Sequence, residues 1–435
     1  MDHIEPIPTN YHGSVKTHLV VSFRYCFAFY FKFHSNQALS LGVLGPSLMD
    51  LGIQVGSTAE ELSSVFVVRG VLAIAGSLIG PGLDRINLYL VIVFSLLVDA
   101  VLHGVVPWLT SLTGVLCTLG PPELFNCAIG MATHLLCVQI WNDQAGPYLQ
   151  LLNLVGVLGF FAAPLVVSPF ITSNHDNNNG TNSSNTNVIE TKVSTAYLLV
   201  SSYSLVTAIF VMIAFFASKM RNEALDTKRE NETVEEPSRG FTIKASCLLF
   251  TFNILYGGIE VGFPGTVMPF AVEFMHWEKQ HATHLITVLQ GSNALVTILA
   301  IFFSKVVKPE IILMCDVAIV TGSMILLVAS VQIHPSMLWV GTALLGIGCA
   351  TVMPCTFAWA TSFMNVSGSF SAVYWCGYFT GFMVIPALTE YLAKLLMHDM
   401  MFVYVMTSCA VGMCIILAFL LWIVWRHRKT PEAMV

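Results

Sequence analysis

From residue 20 to residue 425 the chain alternates long apolar runs with short polar breaks. A helix crossing a hydrocarbon core of about 30 Å needs roughly 20 such residues. Twelve spans can be drawn, at 22–47, 61–82, 87–106, 110–138, 146–170, 193–218, 243–270, 283–304, 309–331, 336–360, 369–393 and 400–425. The fourth contains Gly120, Pro121 and Pro122, and proline removes a backbone donor, so a kink or a shorter helix is expected there. The fold class that follows is an all-α polytopic membrane protein.

Composition strengthens this picture. Of 435 residues, 55% are hydrophobic and 10% charged, with a mean hydropathy of +0.75, outside the range of soluble domains. The opening stretch MDHIEPIPTNYHGSVKTH lacks the basic start and cleavage site of a removable signal peptide, so span 1 is expected to persist. All eleven cysteines fall in apolar runs without metal-ligand spacing and read as packing residues.

Lysine and arginine set the orientation. With a cytoplasmic N-terminus, fourteen of the nineteen fall inside, among them Arg85, Lys219, Arg221, Lys305, Lys308 and Arg428. The same orientation puts Asn179 and Asn182 outside, each in an N-x-S/T sequon and therefore expected to carry glycans. A charged linker at 219–242 divides the chain into a first six-helix bundle, 22–218, and a second, 243–425. Tails at 1–21 and 426–435 complete the division. Gly156 to Pro164 in span 5 is echoed by Gly377 to Pro386 in span 11. Two bundles of six helices are the architecture of major facilitator transporters, which rock about a site near the midplane.

Between spans 2 and 3, Gly80, Asp84 and Arg85 fit the G-x-x-x-D-R core of the signature that major facilitator proteins carry in that loop. A carboxylate there can face the positive N-terminal end of a neighbouring helix, such as span 11 beginning near Gly368, in one conformation only. Arg85 is expected to complete a charge network beside it. The downstream G-R-R/K part of the signature is replaced by Ile86, Asn87, Leu88 and Tyr89.

Three stretches narrow the family: GVLGPSLMDLGIQV (42–55), SSVFVVRGVLAIAGSLIGPGLD (63–84) and IWNDQAGPYLQLLNLVGVLGFFAAPLV (140–166). With YGGIEVGFPGTVMPFA (256–271) and ATVMPCTFAW (350–359), they resemble the sodium-dependent glucose transporter 1 branch of that superfamily. The resemblance implies a multi-pass plasma-membrane carrier of glucose or a related hexose, with both termini cytoplasmic and sodium as a coupling ion in some relatives. Where the branch carries an acidic residue and an Asn in span 4, this chain is read as having Gly130 and His134.

An ionisable side chain inside a span faces a cavity or a partner. Arg69 and Glu260 are expected to pair, statically or during alternating access; Glu260 is alternatively a sodium or proton ligand. Asn253, Tyr256 and Glu260 recur at i, i+3 and i+7, one face of span 7. Gln290 and Asn293 in span 8 and Gln150 and Asn153 in span 5 add amides suited to sugar hydroxyls, and Trp359 offers an aromatic face. Helix packing explains these positions nearly as well. No paired carboxylates with a nucleophile, metal cluster or phosphate loop supports an enzyme, and no basic patch supports nucleic-acid binding. A carrier of a lipid-like or organic-ion substrate and a non-transporting receptor stay open as alternatives.

Overall fold

The computed structural model describes residues 36–170 except Pro46, Met49, Asn142 and Asp143, then 193–222, 239–396 and 400–429. Among them there is no strand. Ten helices are long and apolar enough to cross a membrane, and the shorter apolar helix Ser64–Ser77 adds to them. The first described helix, α1, takes in the described residues of 36–55 and stops at Gly56, whose φ of +68° only glycine adopts cheaply. Span 1 therefore extends eight residues beyond its expected end. Asn179 and Asn182 lie outside the described residues, as does most of the 219–242 linker.

Helix α2, Ala59–Ser77, begins with a capping box in which Thr58 and Glu61 satisfy each other's backbone donors. A short α3, Gly80–Leu83, leads to α4, Leu88–Val105. The fourth span is broken at the expected place, with α5 at Leu112–Leu119 and α6 at Pro122–Trp141. Then follow α7 (Ala145–Val167), α8 (Val193–Asn222), α9 (Arg239–Pro269), α10 (Lys279–Phe303) and α11 (Pro309–Ser330).

The tenth span is also broken, into α12 (Met337–Cys349) and α13 (Val352–Ala360). Pro354 explains this break, because it lacks the N–H that would bond Ala350 one turn back. The freed carbonyls are taken up by side chains. Asn153 Nδ2 donates to the Ala350 carbonyl at 2.8 Å and Tyr256 Oη to that of Cys349 at 3.1 Å. Irregular backbone at membrane depth persists only where it is satisfied in this way. Helices α14 (Gly368–Leu396) and α15 (Met401–Lys429) close the chain.

In the first half α2 packs on α6, and α4 on α6 and α8; in the second, α9 packs on α14 and α15, and α11 on α12 and α15. The halves meet through α7 with α10 and α13, and through α14 with α2, α3 and α6. The α9–α14 seam is tight enough that a Cβ on Gly257 would strike the Tyr378 carbonyl and one on Gly381 that of Ile254. Near Asp84 the core is continuous between halves, joining Leu83, Ile92 and Leu149 to Phe252, Phe357 and Trp375. At the opposite end a separate core, with Leu44, Leu51, Val65, Val115 and Tyr197, belongs to the first half alone. The two halves are thus joined at the Asp84 end and keep their own packing at the other.

Candidate functional site

The join is built from the signature loop. Asp84 Oδ1 accepts from the Gly368 N–H at 2.7 Å, so a carboxylate caps the first turn of α14. Gly80 permits the approach, since a Cβ there would lie 2.5 Å from the Gly368 carbonyl. Arg85 stands exposed beside them. At the same end Gln150 Nε2 contacts Cys355 Sγ at 3.1 Å, and Asn153 reaches the α12–α13 break. Gln150 and Asn153, expected to meet a solute, here tie the halves together.

Trp359 is a second departure from expectation. Its ring is 1% exposed and packs against Phe363, while Nε1 donates to Glu310 Oε2 at 3.1 Å. It fixes α13 to the start of α11 and presents no face to a cleft.

The charge pair is corrected too. Arg69 bonds Glu123, not Glu260: Nε and Nη2 both reach Glu123 Oε2, at 3.1 and 2.9 Å, with both residues buried. Glu123 and Asn126 supply α6 with an acid and an amide about two turns before Gly130 and His134. The rule that singled out Arg69 also covers Glu123, Asp99 and Asp316, since each is an ionisable group inside an apolar span.

Glu260 stands among the hydroxyls of Tyr256 and Tyr378, and its Oε2 has no hydrogen-bond partner among the described residues. Several other buried polar atoms share this state: Gln37 Oε1, Glu123 Oε1, both amide atoms of Asn126 and of Asn253, and Trp375 Nε1. Packed side chains link the helices that carry them. Gln37 Nε2 donates to the Asn126 carbonyl at 3.1 Å. One turn along α6 from Asn126, a Cβ on Gly130 would touch the Trp375 ring at 3.0 Å. The Trp375 ring lies 5.9 Å from Tyr378, which is 6.2 Å from Tyr256. Asn253 flanks Gly377, one turn before Tyr256 on the same face of α9. Helices α1 and α6 from one half and α9 and α14 therefore present unmatched donors and acceptors to a common region.

An unmatched buried polar atom costs about 1–3 kcal/mol, so a group of them marks a place for water or a polar ligand. In α10, Asn293 Oδ1 accepts from its own helix's Thr297 at 3.2 Å, and Gln290 is half-buried on the turn before. No group of three or more metal-ligating side chains occurs among the described residues.

No family model matches the chain. Sodium-dependent glucose transporter 1 of Xenopus laevis is 28% identical over 366 residues, covering 81% of this chain and 73% of that protein. The protein of that name from Homo sapiens is 26% identical over 372 residues, covering 80% and 70%. Major facilitator superfamily domain-containing protein 4A of Xenopus tropicalis is 21% identical over 415 residues, covering 80% and 82%. Among solved structures, the major facilitator transporter FucP in its outward conformation superposes with a TM-score of 0.67 at 13% identity, over 91% of this chain and 98% of that one. The human organic anion transporter MFSD10 superposes with a TM-score of 0.66 at 11% identity, over 92% and 99%. The chain is a membrane transporter of the major facilitator fold that resembles the sodium-dependent glucose transporter 1 branch.

Proposed function

We propose that this transporter carries a small polar solute of the hexose class by alternating access. The observation that carries the reading is the group of unmatched buried amides, with an indole N–H, drawn from both halves. A hexose presents hydroxyls that donate and accept at once, which is the demand Asn126, Asn253 and Gln37 leave open. The Trp375 and Tyr378 rings offer apolar faces for the sugar's C–H side. The six-helix halves, 22–218 and 243–425, rock as bodies about this group, and release of Asp84 from α14 opens its end.

Glu260 is the residue proposed to carry sodium coupling. A carboxyl oxygen without a partner suits a hard cation once the group ionises, and relatives bear sodium dependence in their names. The proposed setting is the plasma membrane, with both termini cytoplasmic and glycans on Asn179 and Asn182.

The test is uptake of labelled glucose into proteoliposomes, with sodium present or replaced by choline. The reading expects saturable uptake, with KM raised about tenfold in Asn253→Ala, the loss of one or two hydrogen bonds. Sodium dependence abolished in Glu260→Gln supports coupling at that carboxylate; equal uptake in choline removes coupling and leaves a facilitator. Absence of uptake, with correctly inserted protein, overturns the hexose assignment.

A further inference from the structure

The first half holds a second buried polar cluster, outside the group proposed to meet the solute. Asp99 and His103 lie one turn apart on α4, both at most 2% exposed. Asn36 and Ser40 from α1 and Ser204 from α8 close around them. Asp99 Oδ2 accepts from Ser204 Oγ at 2.7 Å and from Asn36 Nδ2 at 3.3 Å, and Oδ1 accepts from Ser40 Oγ at 3.2 Å. His103 Nδ1 is 2.9 Å from the Asp99 carbonyl and 3.3 Å from Oδ1, while Nε2 is 3.1 Å from Ser40 Oγ.

Counting protons decides the state. Both neighbours of His103 Nδ1 are acceptors, so Nδ1 carries a hydrogen. Ser40 has one hydroxyl proton and two neighbours, Nε2 and Asp99 Oδ1. If Nε2 is bare, one of the two faces a lone pair. If Nε2 is protonated, it donates to Ser40 Oγ, Ser40 donates to Asp99 Oδ1, and both contacts of Ser40 are matched. Counting charge gives the same answer. Among the described residues, the facing charges on the neighbouring helices are Arg69 of α2 and Glu123 of α6; α1 presents Asn36 and Ser40, and α8 presents Ser204 and the Tyr197 ring stacked 6.1 Å from His103. Among the described residues, Arg69, Glu123 and Asp99 sum to one negative charge in a buried site, and one further positive charge balances it.

We propose that the Asp99–Ser40–His103 relay is a buried site for one exchangeable proton, carried as the His103 imidazolium. Its walls come from three helices, so a movement of α1 away from α4 and α8 removes Ser40 and Asn36 and exposes the proton. Without that proton, the negative charge of Asp99 acts unopposed on Glu123, which links the site to α6. The inference does not depend on which solute is carried or on sodium at Glu260.

The test is 15N NMR of the full-length protein in lipid, labelled in its histidine rings, with the His103 signal assigned by its loss in His103→Gln. The expected result at pH 7 is protonation of both ring nitrogens of His103, with reversion to the neutral form in Asp99→Asn. A neutral ring in the wild-type protein at pH 7 overturns the proposal. If His103→Gln does not fold, thermal unfolding decides. Recovery in Asp99→Asn/His103→Gln supports a charge requirement, and failure to recover argues for a packing role and against the proposal. Specific stabilisation of the wild type by sodium over choline, with a neutral His103, also overturns it, by assigning the missing charge to a metal cation.

Discussion

The two halves of the molecule bury acidic side chains in different ways. In the first, two buried carboxylates have charged or chargeable partners: Glu123 is held by Arg69 at 2.9 Å and Asp99 by His103 at 3.3 Å. In the second, Glu260 and Asp316 have only hydroxyls. Glu260 stands beside Tyr256 and Tyr378, Asp316 accepts from Thr351 Oγ1, and neither forms an ion pair among the described residues. A buried ion pair in one geometry resists rearrangement, because either charge left alone is costly. A carboxyl held by hydroxyls can exchange those donors for a ligand at small cost. The first half is therefore the more committed electrostatically, and the second is better suited to accommodate a changing occupant.

The largest effect that would test this contrast is in the first half. Glu123→Gln leaves the Arg69 guanidinium buried without its anion, and such a loss costs about 3–5 kcal/mol. A marked fall in the unfolding temperature of the purified protein is expected, with most of it recovered in Arg69→Met/Glu123→Met. Glu260→Gln in the second half is expected to shift it far less, because an amide keeps the tyrosine contacts. Equal losses for the two single variants would erase the distinction between the halves.

A middle-sized effect belongs to Asp316. Thr351→Val removes its hydroxyl partner and leaves a buried acceptor unmatched, a loss of about 1–3 kcal/mol, whereas Thr351→Ser retains the donor. Thermal unfolding should order the proteins wild type, Ser variant, Val variant. If the Val variant matches the wild type, Asp316 is hydrated and the second half is not holding its acids by hydroxyls alone.

Much of this arrangement is readable in the chain before any coordinates. Apolar run lengths give the spans, Gly120–Pro122 gives the break between α5 and α6, and the loop position of Asp84 points to the α14 N-terminus that it meets. Pairing is where reading fails. Arg69 has several acids available in the apolar spans, and sequence separation does not say which is near: Glu123 is 54 residues away and bonded. Trp359 misleads for a related reason. An aromatic in an apolar, family-like span has the same one-dimensional signature whether it faces a cleft or, as here, bonds Glu310 at a helix end. The second break was encoded by Pro354, but its consequence depends on which neighbours reach the freed carbonyls.

That second break gives the smallest and most discriminating test. Pro354 leaves the Ala350 carbonyl without its helical donor, and Asn153, from the other half, takes the place at 2.8 Å. In the wild type, Asn153→Ala removes one hydrogen bond across the halves, worth about 0.5–1.5 kcal/mol. In Pro354→Ala the new backbone N–H can bond Ala350 within its own helix, so Asn153 becomes partly redundant. The same Asn153→Ala change should then cost less, and the two substitutions should couple by about 0.5 kcal/mol or more in thermal unfolding. Pro354→Ala alone is expected to loosen the Asp84 end, increasing the reactivity of a cysteine placed at Ser304, opposite Gly146, toward an impermeant thiol reagent. Additive effects would mean that the Asn153 bond forms regardless of the break. The adaptable character of the second half would then rest on its lone carboxyls and owe nothing to its interrupted helix.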